Sequence, residues 1–257
     1  MADARPWTDE YTLLCERCGY VVDGLPTAGA CPECGTPIAE SVPERRPGSA
    51  WQRRPGMGAL WRTWPAVLAA PNRTLDTLIV AHPHDRRLSR FSGAWAAAIP
   101  CGAIALALGV EGLRTREIGM LAYIGLAVAA APAIWLVVRA LIGVETKGLR
   151  VIGRTRGFRV TPAIAATITA HGAVGWVIAG TGVAIGVLGP FTAHLINSTA
   201  GTVDGFVGRL GALSVVLGLL LTVFGFLFFE TFAWLGIRRL RYANRVRPHA
   251  MPQAPGG

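Results

Sequence analysis

With 257 residues, 52% of them hydrophobic and only 16% charged, the chain is too apolar for an ordinary soluble domain, where about a quarter of residues are charged. Its mean hydropathy of +0.43 is concentrated after residue 91, where apolar runs exceed the roughly 18 residues that signal a membrane span, so it reads as a polytopic membrane protein. The net charge of +10 does not make it a nucleic-acid binder: residues 1–40 hold seven acids (Asp3, Asp9, Glu10, Glu16, Asp23, Glu33, Glu40) against Arg5 and Arg17, and the positive charge lies beside the apolar spans.

The first fourteen residues carry Asp3, Asp9 and Glu10 and lack the basic-then-apolar pattern of a secretory signal. Two knuckles follow, Cys15-Glu-Arg-Cys18-Gly and Cys31-Pro-Glu-Cys34-Gly, separated by twelve residues. Four thiolates so spaced suit one tetrahedral Zn²⁺, and each glycine permits a tight turn beside the sulfurs. The expected ion is structural, because four cysteines leave no coordination position for water. A tetrahedral iron site and a redox dithiol pair are the alternatives. Tyr20, Val21 and Val22, then Asp23-Gly24, read as a short strand and turn, so residues 1–38 are expected to form a small β zinc ribbon whose folding depends on metal. The fifth cysteine, Cys101, sits in an apolar run and reads as a small packing residue.

Residues 39–56 are polar and rich in proline and glycine, the composition of a linker. Over residues 57–90, Trp61, Trp64, Val67 and Leu68 recur at helical spacing around Arg62, and Pro71 opens a second short stretch. This pattern suits an amphipathic helix lying in the membrane interface, or equally one packed on the membrane domain. His82-Pro-His84-Asp85, beside Arg86 and Arg87, reads as a solvated turn at the membrane edge rather than a metal cluster.

Residues 91–240 are expected to form an all-α bundle of four transmembrane helices, at 92–112, 119–142, 162–190 and 206–236. Lysine and arginine number eleven before residue 91, two at 113–118, five at 143–160, none at 191–205 and five after residue 236. This alternation places both termini and the middle loop in the cytoplasm, with residues 241–257 as a disordered cytoplasmic tail. The third span is long and rich in glycine, and it is expected to tilt, to begin along the interface, or to break. Gly182-x-x-x-Gly186 permits close helix contact there.

Two ionisable residues fall within the spans, His171 and Glu230. From the expected cytoplasmic ends they lie about 14 Å and about 9 Å deep at 1.5 Å per residue. The expectation is a hydrogen bond or ion pair between them that locks spans three and four. Arg209 is expected to snorkel outward. Asn197-Ser-Thr199 matches a glycosylation sequon, a pattern that short polar segments produce by chance. No nucleotide-binding glycine loop, catalytic triad spacing or paired-carboxylate motif is present, so no enzymatic activity is expected.

Cys15-x-x-Cys18-Gly-Tyr-x-x-x-Gly-Leu-Pro and Cys31-Pro-x-Cys34-Gly, with Trp61-Arg-Thr-Trp64, Pro71, Glu230 and Arg241-Tyr-Ala-Asn-Arg245, resemble bacterial membrane proteins in which a zinc ribbon is fused to a small polytopic, loosely Yip1-like domain. The resemblance is specific over about 25 residues of the ribbon and looser in the membrane region. It implies a membrane adaptor in the cytoplasmic (inner) membrane. The acidic ribbon would then dock a cytoplasmic protein, with the lipid bilayer as its other partner and with a homo-oligomer open. The competing expectation is a small transporter or channel using His171 and Glu230.

Overall fold

The computed structural model describes residues 10–116, 120–200 and 205–246. Eight α-helices order them: α1 (Ala50–Arg53), α2 (Met57–Ala69), α3 (Pro71–Thr77), α4 (Asp85–Thr115), α5 (Met120–Thr155), α6 (Pro162–Gly172), α7 (Val174–Ala200) and α8 (Gly205–Leu240). Four stretches are long and apolar enough to cross a bilayer: Asp85–Thr115, Leu121–Thr155, Pro162–Thr199 and Gly205–Leu240. The chain is therefore a multi-pass, mostly helical membrane protein. It divides into two compact units, one of residues 1–88, 144–171 and 232–257, the other of residues 89–143 and 172–231.

The first unit begins with the knuckles. No strand forms among its described residues. The expected β ribbon reduces to two isolated antiparallel bridges, Leu14 with Val21 and Ala30 with Pro37. Three consecutive turn positions at each cysteine pair, Glu16–Cys18 and Pro32–Cys34, are spent folding the backbone around the sulfurs, which leaves too few residues to extend a ladder.

Residues 39–56 do not form a linker. Ile38–Ser41 and Pro43–Arg45 are single 3-10 turns, with Ile38, Ser41 and Pro43 buried. Helix α1 then starts on a reciprocal cap: the Ser49 hydroxyl accepts from the Gln52 amide, and the Gln52 side chain accepts from the Ser49 amide. Arg46 donates to the carbonyls of Leu75, Asp76 and Leu78 and pairs with Glu16 at 2.6 Å. Proline and glycine here serve turns and caps between packed side chains, a use that composition alone does not separate from flexible spacing.

Helix α2 buries one face: Leu60, Trp64 and Val67 are buried, whereas Trp61, whose ring meets that of Trp64 edge-on at 5.9 Å, is 61% exposed beside them. One stripe thus belongs to the core of the unit and a second apolar stripe does not. Pro71 supplies the first residue of α3, where its missing N–H costs nothing. Leu75, Leu78, Leu88, Leu149, Ile164, Ile168, Phe232 and Ile237 complete this core.

Helix α5 runs to Thr155, so most of the expected 143–160 loop is helical. At 36 residues it is about 54 Å long, well beyond the ~30 Å hydrocarbon core. Lys147, Arg150 and Arg154 therefore ride on helix past the apolar stretch. The helix ends where Gly157 takes a left-handed conformation (φ 73°), with the Phe158 amide bonding the Gly153 carbonyl and the Gly157 amide bonding that of Arg154. The third span is broken, since Ala173 interrupts it and divides α6 from α7.

In the second unit, α7 and α8 meet through glycines. A Cβ on Gly182 would stand 2.5 Å from the Gly218 carbonyl, and one on Gly218 an equal 2.5 Å from that of Gly182. Gly175 and Gly225 oppose each other in the same way. Val138, Ile142, Ala173 and Phe229 form a small core with Trp176 against it, and Cys101 is buried as expected of a packing residue. Only 11% of the most apolar window of α5 and 17% of that of α8 is buried within the protein, leaving Leu126, Leu136, Leu219 and Leu220 to face lipid.

Candidate metal centre

The sulfurs of Cys15, Cys18, Cys31 and Cys34 all lie within 4.8 Å of one another. Cys15 and Cys34 are 3.5 Å apart, and Cys18 and Cys31 are 3.7 Å apart. Tetrahedral Zn²⁺ with bonds of about 2.3 Å separates its sulfurs by about 3.8 Å, whereas a disulfide needs about 2 Å. The four cysteines are free thiols and fit a metal ion.

The backbone repeats itself around the site with an offset of sixteen residues. The Cys15 amide bonds the Tyr20 carbonyl and the Gly19 amide that of Cys15; the Cys31 amide bonds the Thr36 carbonyl and the Gly35 amide that of Cys31. Gly19 (φ 83°) and Gly35 (φ 71°) sit in the left-handed region, so the glycine following each pair is a conformational requirement. These turns aim amides at sulfur: those of Arg17 and Cys18 at Cys15, of Tyr20 at Cys18 and of Thr36 at Cys34. Such bonds favour thiolate and make up the outer shell of a metal site.

The thiols differ in the metal-free fold. Burial, the largest influence, raises that of Cys15 and pushes Cys18 up to about 12. The hydroxyl and then the amide of Thr36 hold Cys34 down to about 6. A metal supplies the positive charge that lets all four ionise together. Cys15, Val22, Cys31 and Ile38 form the small core behind the sulfurs.

The segment after α8, expected to be a disordered tail, holds this module. Tyr242 lies against Gly19, where an added Cβ would meet its ring at 2.8 Å. The Asn244 side chain accepts from the Leu14 amide at 2.9 Å and donates to the carbonyls of Leu14 at 2.7 Å and Ser41 at 2.8 Å. Its own amide reaches Glu16 at 3.1 Å. Buried Arg159 donates to the Asn244 side-chain oxygen at 2.7 Å and to the carbonyls of Thr12 and Ala243. Arg245 pairs with Glu10 at 2.9 Å and lies over the Tyr11 ring. Residues 241–246 are thus part of the fold, and 247–257 lie outside the described residues.

His171, expected to bond Glu230, spends its ring on partners within its own unit. His171 is buried, and its Nδ1 lies 3.0 Å from the Thr167 carbonyl, while Nε2 lies 3.0 Å from the Ser49 hydroxyl. A carbonyl only accepts, so Nδ1 carries a proton, and the Nε2 of a neutral ring receives the Ser49 O–H. Both nitrogens are therefore spent. Ser49 is in turn the cap of α1, and Gln52 donates to Asp85 Oδ1 at 2.9 Å while Thr167 donates to Oδ2 at 2.7 Å. Depth along the spans placed His171 beside Glu230, but the break at Ala173 ends α6 just after the histidine.

Five polar residues central to these arrangements are not among the site residues that sequence reasoning singles out. Asp85 was read as part of a solvated turn, and it is buried. Ser49 and Gln52 fell in the supposed linker, Arg159 in the supposed loop and Asn244 in the supposed tail. A capping-box spacing from Ser49 to Gln52 was the one cue available for the first pair. Compared with protein-family models, with curated proteins and with solved structures, the chain matches none.

Proposed function

We propose that the chain is a non-enzymatic scaffold of the inner membrane, akin to the zinc-ribbon, Yip1-like proteins it resembles, with a structural Zn²⁺ and a cytoplasmic module that docks a protein partner. The observation that carries this reading is the exposed side of the module. Tyr20 and Leu25 are 42% and 38% exposed within a small acidic surface that also presents Asp23, Glu33 and Glu40. An exposed aromatic and an exposed aliphatic side chain on a module that also exposes carboxylates suit a partner segment with apolar anchors and basic flanks. The closed thiolate set offers no position for a reacting water and so favours recognition over hydrolysis.

Asn244 and Arg159 fix the module to the segment that follows α8, the kind of anchorage a scaffold requires. The alternating arginine count supports placing this module in the cytoplasm. A transport role would need a titratable group free to exchange partners, and His171 has both nitrogens committed.

The test is recovery of crosslinked partners from native membranes, comparing the intact protein with Tyr20→Ser/Leu25→Ser. Partner yield should fall by about tenfold or more while metal content is unchanged. Unchanged yield in this variant, and in Cys15→Ser/Cys18→Ser, would refute docking. Solute flux in reconstituted vesicles that Glu230→Gln abolishes would instead favour transport.

A further inference from the structure

Helices α1, α2 and α3 border an open cleft of ≈ 420 Å³ on the first unit, lined by Arg53, Arg62 and Arg73, one from each helix. Thr63, Thr74 and Thr77 line it as well, and no carboxylate does. We propose that this cleft binds the phosphate-bearing headgroup of an anionic membrane lipid.

Three guanidinium groups around one cleft repel each other until an anion joins them. Arginine offers phosphate a paired donor geometry that lysine lacks. Other arginines nearby are already used: Arg46 is bound to three carbonyls and Glu16, and Arg239 neutralises Asp76 of α3 at 2.6 Å. Arg53 is positioned through its bond to the Gly48 carbonyl at 2.9 Å, while Arg62 and Arg73 are exposed at the cleft. A volume of this size lies at the lower end of the ~300–1,000 Å³ of small-molecule sites, larger than bare phosphate needs and suited to a headgroup.

The source of the phosphate follows from the adjoining face of α2. Met57, Trp61 and Leu68 form an exposed apolar stripe on the helix that contributes Arg62. A tryptophan beside arginine is the pairing found where a helix lies at the boundary of headgroups and acyl chains. Seven residues separate Thr77, the end of α3, from Asp85, where the first membrane-capable helix begins. A soluble phosphate would leave the stripe without purpose. A lipid occupies both, its headgroup among the arginines and its chains against Trp61.

The experiment is native mass spectrometry of the full-length protein released from nanodiscs of phosphatidylglycerol or of phosphatidylcholine, with inorganic phosphate as a soluble competitor. The protein should retain phosphatidylglycerol at least tenfold over phosphatidylcholine. Arg62→Gln/Arg73→Gln should abolish that preference, and Trp61→Ala should weaken it. Arg54→Gln, outside the cleft, should leave it intact. An unchanged preference in the double variant would overturn the site. So would equal losses from Arg54→Gln, which would mean diffuse charge attraction. Displacement by millimolar phosphate with no advantage for the lipid would assign the cleft to a soluble anion and overturn the lipid. Metal content and thermal midpoint in phosphatidylcholine report folding, and Arg62→Gln alone replaces the double variant should those change.

Discussion

The side chain of Asn244 brackets the backbone of Leu14, accepting its N–H at 2.9 Å and donating to its carbonyl at 2.7 Å across 230 residues of sequence. One amide thereby substitutes for the partner strand that the knuckle lacks. It also ties the residue just before the first metal-binding cysteine to the exit of the last membrane helix.

Asn244→Ala should loosen the module without unfolding the helices. The buried amide and carbonyl of Leu14 and the carbonyl of Ser41 lose their partner, at a cost of about 2 kcal/mol. That corresponds to roughly 30-fold in the local opening equilibrium. Amide exchange in the 10–46 region should accelerate by that order, with little change in α7 and α8. Equal acceleration throughout would mean that the contact is not local.

The purified protein should carry one zinc per chain, and a strong chelator should melt the module while helical circular dichroism persists. The pH dependence follows from the thiols. Binding takes thiolates, while the metal-free fold keeps Cys15 and Cys18 protonated at neutrality, Cys18 up to about 12. Binding therefore releases protons, and apparent affinity should fall from about pH 8 to about pH 6. The thiol of Cys34, held down to about 6, has the opposite sign from Cys18. Its contribution to the metal-free fold is present above the ordinary thiol value and is lost as pH drops through about 6. Chelator competition across this range checks the direction, and an affinity that rises in acid would contradict it.

Substitutions at His171 and Glu230 should act independently. His171→Leu leaves the buried Ser49 hydroxyl without its ring partner and should cost about 1–3 kcal/mol. Glu230→Gln should be close to neutral. In a double-mutant cycle the two should add within about 0.5 kcal/mol. A larger coupling would restore the pairing that residue depth alone suggests.

Gly218→Val should destabilise the α7–α8 contact by about 1–3 kcal/mol, since its Cβ would meet the Gly182 carbonyl at 2.5 Å. Gly102→Ala has open space around its Cβ and should be neutral or stabilising by up to about 1 kcal/mol. Thermal midpoints in detergent separate the two, and equal effects would argue against a close glycine contact.

What was legible in the sequence had a local or periodic cause. Two Cys-x-x-Cys-Gly knuckles dictate a metal cage through spacing and turn geometry within four residues. Four apolar stretches announce membrane helices because hydrocarbon demands about twenty apolar residues in a row. Even Gly182, noted for close packing, was found in that role. The linker at 39–56, the loop at 143–160 and the tail from 241 differ from the structure for a shared reason. Each judged a short polar stretch by composition, and composition does not say where a backbone hydrogen bond finds its partner.

The sequence by itself determined the four-cysteine cluster and the membrane character, because neighbouring residues suffice to produce both. Only the tertiary structure decided that the metal module is clasped by Asn244 and Arg159, that His171 answers to Ser49, and that three arginines share a cleft. Those relations join residues up to 230 positions apart. They are set by which polar groups meet when apolar surfaces are buried, and no local pattern records that outcome.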